Sequence, residues 1–407
     1  MPAPHPSAVG SRRWIGTLAA VTAIVALSID MSLPAQPTLA RAFDVRGETA
    51  QLTLTLFLIG FACAQLVAGY LSDAWGRRRV MCGGLILFVA GGVACAVAPT
   101  IEVLLASRVI QGIGAAGAPV VARAMVRDTQ PSQQAARLLS TMLAAIAIAP
   151  MIAPLVGAGL LEVVGWRGIY AALAACGVVM LAVAYGTLPE TLPMERRAAS
   201  VSVRGIARSY VKFLATPGTV LPMLVSCAAF AGQFGYIADS PFVLVEGYGL
   251  SEQMFGVVFG ATALALMLGS IAGGRMLRAG RQPATMLRIG TVLLLAGGAT
   301  VVLGTRADIG LVGFVAPMLV YFFGIGLTSP SATALAMEPC PQLAGTASAA
   351  IGFCTMTAGA FAGYQTTKLG GSSPDAFAIG AGAMAVVAAA LAWRASRRPV
   401  RRITGGA

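Results

Sequence analysis

The chain has 407 residues, of which 57% are hydrophobic and only 11% charged, with a formal net charge of +13. So few polar side chains cannot clothe a water-soluble globule of this length, and lipid is the expected solvent. The basic balance does not point to nucleic acid, because the arginines and lysines sit in short loops beside apolar runs, where topology and anionic lipid account for them.

About 20 helical residues cross a bilayer core, and windows of that length follow one another along the chain. The first is 14–35. Charge-free windows lie between Glu48 and Asp73 and between Arg79 and Glu102, and 101–123 carries Arg108. Further windows run from Arg137 to Glu162, Arg167 to Glu190, Lys212 to Asp239 and Glu252 to Arg275. The last four are 289–305, 309–331, 344–367 and 376–393. Spans must satisfy their backbone hydrogen bonds internally, and no alternating barrel pattern is present, so the sequence predicts an all-α membrane protein of twelve transmembrane helices.

Lys and Arg counts in alternating loops orient the spans. One side holds 22 of the 28 and the other five (Arg41, Arg46, Arg167, Arg306 and Lys368), which leaves Arg108 inside a span and places both termini in the cytoplasm. The organisation read from this pattern is a cytoplasmic tail 1–13, a six-helix half 14–188, a basic cytoplasmic linker 189–219, a second six-helix half 220–394 and a basic tail 395–407. A faint repeat relates the halves: Gly69 precedes Gly76 by seven residues after span 2, as Gly273 precedes Gly280 after span 8, in loops that are both basic. Two six-helix pseudo-repeats of this kind are a known transporter architecture, with the solute near the midplane.

Other chemistry finds little support. Arg12 and Arg13 before an apolar run suggest a signal peptide, but the run is too long and carries Asp30. The seven cysteines (Cys63, Cys82, Cys95, Cys176, Cys227, Cys340 and Cys354) lack metal or disulfide spacing and read as packing residues. His5, the sole histidine, lies in the Pro-rich start. No phosphate loop or nucleophile with a base is found, so neither an enzyme nor an ATP-driven pump is expected, and no metal.

Small residues recur on span 4 from Gly112 to Gly117 and on span 11 from Gly352 to Gly363, where helices can pack closely. Pro150 and Pro154 each remove a backbone donor from span 5, so a kink is expected there. Ionisable groups inside a span are functional candidates. Asp30 lies about 24 Å into span 1 and Arg108 about 10 Å into span 4 from the opposite end, which puts both in the outer half of a core about 30 Å thick. They are close enough in depth to meet, either as a fixed ion pair or as a coupling pair in which the carboxylate alternates between a cation and a proton. Asp239, late in span 7, is the repeat partner of Asp30 or a group at the outer mouth. Gln111, Gln233 and Tyr236 are candidates to hydrogen-bond a solute.

Several ordered motifs resemble those of the major facilitator superfamily. Gly69-Tyr70-Leu71-Ser72-Asp73-Ala74-Trp75-Gly76-Arg77-Arg78-Arg79 resembles its loop motif, which implies a cytoplasmic gate built from Gly69, Asp73, Gly76, Arg77 and Arg123; Leu277 stands at the Asp73 position of the second half. Arg108-Val109-Ile110-Gln111-Gly112-Ile113-Gly114-Ala115-Ala116 resembles the motif whose arginine takes part in proton coupling in drug/proton antiporters. Ala153-Pro154-Leu155-Val156-Gly157-Ala158 resembles the helix-5 antiporter motif, here Pro150, Pro154 and Gly157, with alanines where two glycines are usual. Asp30-Met31-Ser32-Leu33-Pro34-Ala35-Gln36-Pro37, Tyr236-Ile237-Ala238-Asp239-Ser240-Pro241-Phe242-Val243, and Ala336-Met337-Glu338-Pro339 followed by Ala344-Gly345-Thr346-Ala347-Ser348-Ala349 are similar to the Bcr/CflA branch. Asp239 and Ser331 depart from that branch's usual residues.

The resemblance implies a proton-coupled antiporter, monomeric and without cofactor. It would export small hydrophobic or amphipathic compounds across a bacterial inner membrane by alternating access, with Asp30, Arg108 and Asp239 coupling protons. The alternative is a proton-linked importer of one metabolite on the same fold.

Overall fold

The computed structural model describes residues 11–131, 134–135, 138–139, 141–142, 148–197, 203–370 and 373–397. Most of the expected N-terminal tail with His5, Arg137 in the loop after span 4, residues 198–202 of the linker and the C-terminal tail from 398 lie outside the described residues. The chain forms two compact units, Met1–Ser202 and Val203–Ala407. Among the described residues there are thirteen α-helices and no strand.

In the first unit α1 spans Arg12–Asp30, opened by Ser11, whose hydroxyl accepts from the Trp14 N–H at 3.2 Å. The continuous span expected over 14–35 breaks at Asp30. Pro34 has no N–H to carry the ladder on and disfavours a helical Leu33, so Leu33 N–H takes the Asp30 carbonyl at 3.4 Å in a tight turn. The short α2 (Gln36–Ala42) follows, then α3 (Gly47–Trp75), α4 (Arg77–Ala96) and α5 (Ile101–Thr129). Gly76 alone separates α3 from α4, with φ +97, a left-handed conformation that glycine tolerates.

The 39-residue α6 (Ala149–Thr187) breaks sharply at Gly165, φ +68, into arms 149–164 and 166–187. This break is the turn expected between spans 5 and 6, since Gly165 lies between Glu162 and Arg167. Pro150 stands in the first turn, where its missing N–H has no intrahelical acceptor to lose, and the described helix keeps helical dihedrals through Pro154.

In the second unit α7 (Val203–Ala215) lies within the stretch read as linker. Phe213 anchors it, fully buried against Met223, Ala336, Cys340, Ala347 and Ile351. Next comes α8 (Val220–Pro241), which widens through Phe242–Gly247, where Tyr248 N–H reaches back five residues to the Val243 carbonyl at 3.0 Å. After it come α9 (Glu252–Arg278), α10 (Pro283–Arg306), α11 (Leu311–Met337), α12 (Ala344–Gly370) and α13 (Pro374–Arg397). Ten helices among the described residues are long and apolar enough to cross a membrane.

Close packing repeats in both units. A Cβ on Gly60 of α3 would strike the Val109 carbonyl of α5, and one on Gly112 of α5 the Phe57 carbonyl of α3. In the second unit Gly269 of α9 abuts the Phe323 carbonyl, and Gly326 of α11 the Leu266 carbonyl. In each pair the glycine and the struck carbonyl stand three residues apart on both helices. Such contacts replace the missing hydrophobic driving force between helices in lipid.

Gly112→Val should therefore lower the thermal unfolding temperature of the detergent-purified protein, by overpacking worth about 1–3 kcal/mol. Gly159→Val, on a face of α6 with open space around it, should leave the temperature unchanged.

Candidate functional site

Arg108 is fully buried, and its partners come from three helices. Nε donates to the Thr53 carbonyl at 3.0 Å, Nη1 to Gln111 Oε1 at 2.7 Å and Nη2 to the Ser28 carbonyl at 3.2 Å. The guanidinium also lies over the Phe57 ring at 4.4 Å and within 5.6 Å of the Tyr170 centroid, where ring quadrupoles favour a cation. A second bond fixes this shell: Gln36 Nε2 donates to Thr53 Oγ1 at 3.1 Å and so ties the start of α2 to α3. Neutral dipoles thus carry a charge that an apolar bundle would otherwise reject.

Asp30 ends α1 two residues beyond Ser28 and is 5% exposed. Among the described residues no cation lies within 4.0 Å of it, so the fixed Asp30–Arg108 ion pair is not formed. The next residue, Met31, presents its carbonyl where a Cβ on Gly157 would sit, and α6 therefore presses directly against the broken end of α1. Gln111 does not face open space. Its oxygen serves Arg108, and its buried amide nitrogen has no hydrogen-bond partner among the described residues.

In the second unit Asp239 is 2% exposed and stands eight residues before the end of the apolar run Val220–Gly247. Tyr236 is fully buried in an aromatic box of Phe259, Phe322 and Phe377, with centroids at 5.8, 4.9 and 5.9 Å. Its hydroxyl turns towards Thr262 but outside hydrogen-bond geometry. Gln233 is half-buried. A cavity of about 800 Å³ lies among α8, α12 and α13, with Cys227, Ala231, Gly235, Phe361, Gln365 and Met384 on its walls. Gln233 and Tyr236 are not among its lining residues, whereas the small residues Ala228, Ala231, Gly232 and Gly235 are.

The turn between α3 and α4 carries the charged cluster. Arg77 pairs with Asp73 at 2.5 Å and with Asp128 at 2.8 Å, and donates to Ser72 Oγ at 2.6 Å. Glu190 caps α4, accepting from the Arg77 N–H at 2.9 Å and the Arg78 N–H at 3.3 Å, and pairs with Arg197 at 3.6 Å. An anion there also meets the positive end of the helix dipole. A Cβ on Gly76 would push that carboxylate aside, and φ +97 makes glycine the residue that fits the turn. Thr191 donates to Asp128 at 3.2 Å and closes the cluster. Arg123 is half-buried and joins no ion pair among the described residues, while the Gly69 carbonyl accepts from Ser72 Oγ at 2.7 Å and so touches the cluster through the hydroxyl that Arg77 engages. Asp128 and Glu190 were missed by motif reading; the signal was two acids standing among basic loops.

An arginine and two aspartates buried in long apolar helices are the mark of a solute or ion pathway in a helical membrane protein. The chain is a member of the Major Facilitator Superfamily, whose sequence profile matches residues 18–363. Being a transporter of that family, it is not an enzyme. It is 32% identical over 343 residues to YdgK of Bacillus subtilis, an uncharacterized MFS-type transporter, covering 82% of this chain and 83% of that one. It is 28% identical to the bicyclomycin resistance protein homolog of Haemophilus influenzae, covering 90% and 92%, and 28% identical to the multidrug transporter MdfA of Yersinia pestis, covering 80% of each. The fold recurs in the peptide transporter POT, with a TM-score of 0.75 at 16% identity, covering 97% of this chain and 96% of that one.

Glu190→Gln should remove the charged cap and the Arg197 pair together, lowering stability by about 0.5–2 kcal/mol in thermal unfolding of the purified protein. Glu195→Gln, exposed on the same segment, should have no effect, and equal shifts for the two variants would refute the capping role.

Proposed function

We propose that the chain is a proton-coupled antiporter of twelve spans that exports small hydrophobic or amphipathic compounds across a bacterial inner membrane. The observation that carries this reading is Asp30: buried, at the end of a helix interrupted before Pro34, and without a cation within 4.0 Å among the described residues. A carboxylate so placed is stabilised when it takes up a proton or meets a cationic group, which is the exchange that coupling needs. Arg108, already satisfied by carbonyls and Gln111, holds a fixed positive field beside the end of α1. Asp239, buried within α8 two residues before Pro241, is the candidate for the same role in the second unit.

The two arms of α6 and the helix α12, taken with the other long apolar helices, supply the twelve spans. The matching glycine–carbonyl pairs of the two units favour two six-helix repeats. The positive-inside count favours cytoplasmic termini. Relatives named for resistance to bicyclomycin and chloramphenicol and for multidrug transport favour xenobiotics as solutes, as does the largely apolar cavity of the second unit. The proton gradient is the energy source, without a cofactor, and the working unit is the monomer.

In cells lacking their own efflux pumps, expression should lower drug accumulation, and a protonophore should abolish the difference. Asp30→Asn should raise accumulation to the protonophore level while the protein stays in the membrane. Arg108→Lys, which keeps the charge but loses the fork that spans Ser28, Thr53 and Gln111, should also impair export. Accumulation that is unchanged or increased by expression across a broad drug panel would instead favour uptake of a metabolite.

A further inference from the structure

A groove of about 510 Å³ lies in the second unit, away from Asp239 and Tyr236, between the first turns of α10 and the last turns of α13. Arg288, Val292 and Leu295 line one wall at i, i+4 and i+7, a single helix face, and Ala389 and Trp393 line the other. The two helices bring their charged ends together: Arg288 is in the second turn of α10, and Trp393 is four residues before the end of α13. Arg288 is exposed, as are Arg281 just before α10 and Arg394 beside Trp393. Among the described residues none of the three has a carboxylate within 4.0 Å. Thr291, also in the wall, donates its hydroxyl back to the Leu287 and Arg288 carbonyls at 2.9 and 3.0 Å, so it competes for no headgroup.

The groove is cationic at one end and apolar along its length. From Arg288 to Leu295 it runs about 10 Å along the helix at 1.5 Å per residue. Val292 and Trp393 are more than half exposed, an apolar side chain and an indole of the kind that settles at a membrane interface. We propose that this groove binds a glycerophospholipid of net negative headgroup charge. The phosphodiester meets the forked donors of Arg288, one acyl chain lies along Val292 and Leu295, and the Trp393 indole flanks the glycerol region. A zwitterionic lipid offers the same chain but also brings its own cation to the arginines, so the site discriminates by headgroup. The proposal rests on membrane insertion alone and not on the direction or coupling of transport.

The test uses the full-length protein in nanodiscs whose lipids carry brominated acyl chains, which quench tryptophan on contact. Subtracting the signal of Trp393→Phe isolates Trp393 from the other three tryptophans. Quenching of Trp393 should reach half its limit at a phosphatidylglycerol mole fraction roughly five-fold below that for phosphatidylcholine, the preference one arginine near the surface supplies. Arg288→Gln should remove that preference without shifting thermal unfolding, whereas Arg275→Gln, on α9 at the same end but outside the groove, should retain it. Equal quenching by the two lipids overturns the proposal. So does an equal loss of preference in Arg275→Gln, which would mark a diffuse surface charge, and so does loss of preference on adding millimolar inorganic phosphate, which would mark a free-anion site.

Discussion

The first unit is organised around the burial of one guanidinium. Arginine does not give up its proton, so Arg108 in an apolar bundle obliges its surroundings to supply oxygen atoms and ring faces at fixed distances. The Ser28 and Thr53 carbonyls meet it at 3.2 and 3.0 Å only if α1, α3 and α5 hold one register. Gly60 and Gly112 bring α3 and α5 into backbone contact just past Arg108, at Val109 and Phe57, and Gln36 pins the start of α2 to Thr53. Displacing any of these leaves a charge in lipid with a missing partner, a larger penalty than the loss of an ordinary core contact.

The same arrangement decides what Asp30 is left to do. With Arg108 satisfied by neutral groups, the carboxylate is not consumed as a permanent counter-ion, although Ser28, which Arg108 does engage, is only two residues away. Pro34 ends the helix at this carboxylate, and Gly157 lets α6 press on the following residue. The reading of Asp30 as a group that exchanges partners therefore has a structural basis in the first unit alone. The charged cluster at the α3–α4 turn is the opposite case: each acid there has a basic or backbone partner, and the cluster closes on itself through Asp73, Asp128, Glu190 and Thr191.

Much of this was legible in advance. Hydropathy marks the long helices because a bilayer tolerates no unsatisfied backbone. The depth estimate puts Asp30 and Arg108 both in the outer half, near enough to meet, and Arg108 does reach the Ser28 carbonyl two residues from Asp30. It did not find the partners, because depth along two helix axes leaves their rotation free. Gln111 was singled out for a solute, yet its spacing of three from Arg108 already allowed the internal bond that it makes. Tyr236 likewise resolves into an aromatic box, while the cavity on its helix is lined by alanines and glycines that carry no chemical signal in sequence.

Composition, apolar windows and motif order determined by themselves that this is a helical membrane transporter of the major facilitator superfamily, because lipid solvation and chain length leave few other solutions. That the first helix ends at Asp30, short of the apolar window's end at 35, was decided by local backbone conformation in the packed structure. Which oxygens hold Arg108 and which carboxylate caps α4 were decided only by tertiary structure. Thr53 and Arg108 are 55 residues apart, Glu190 and Arg77 are 113 apart, and only the close approach of particular helix faces brings such groups within hydrogen-bond reach.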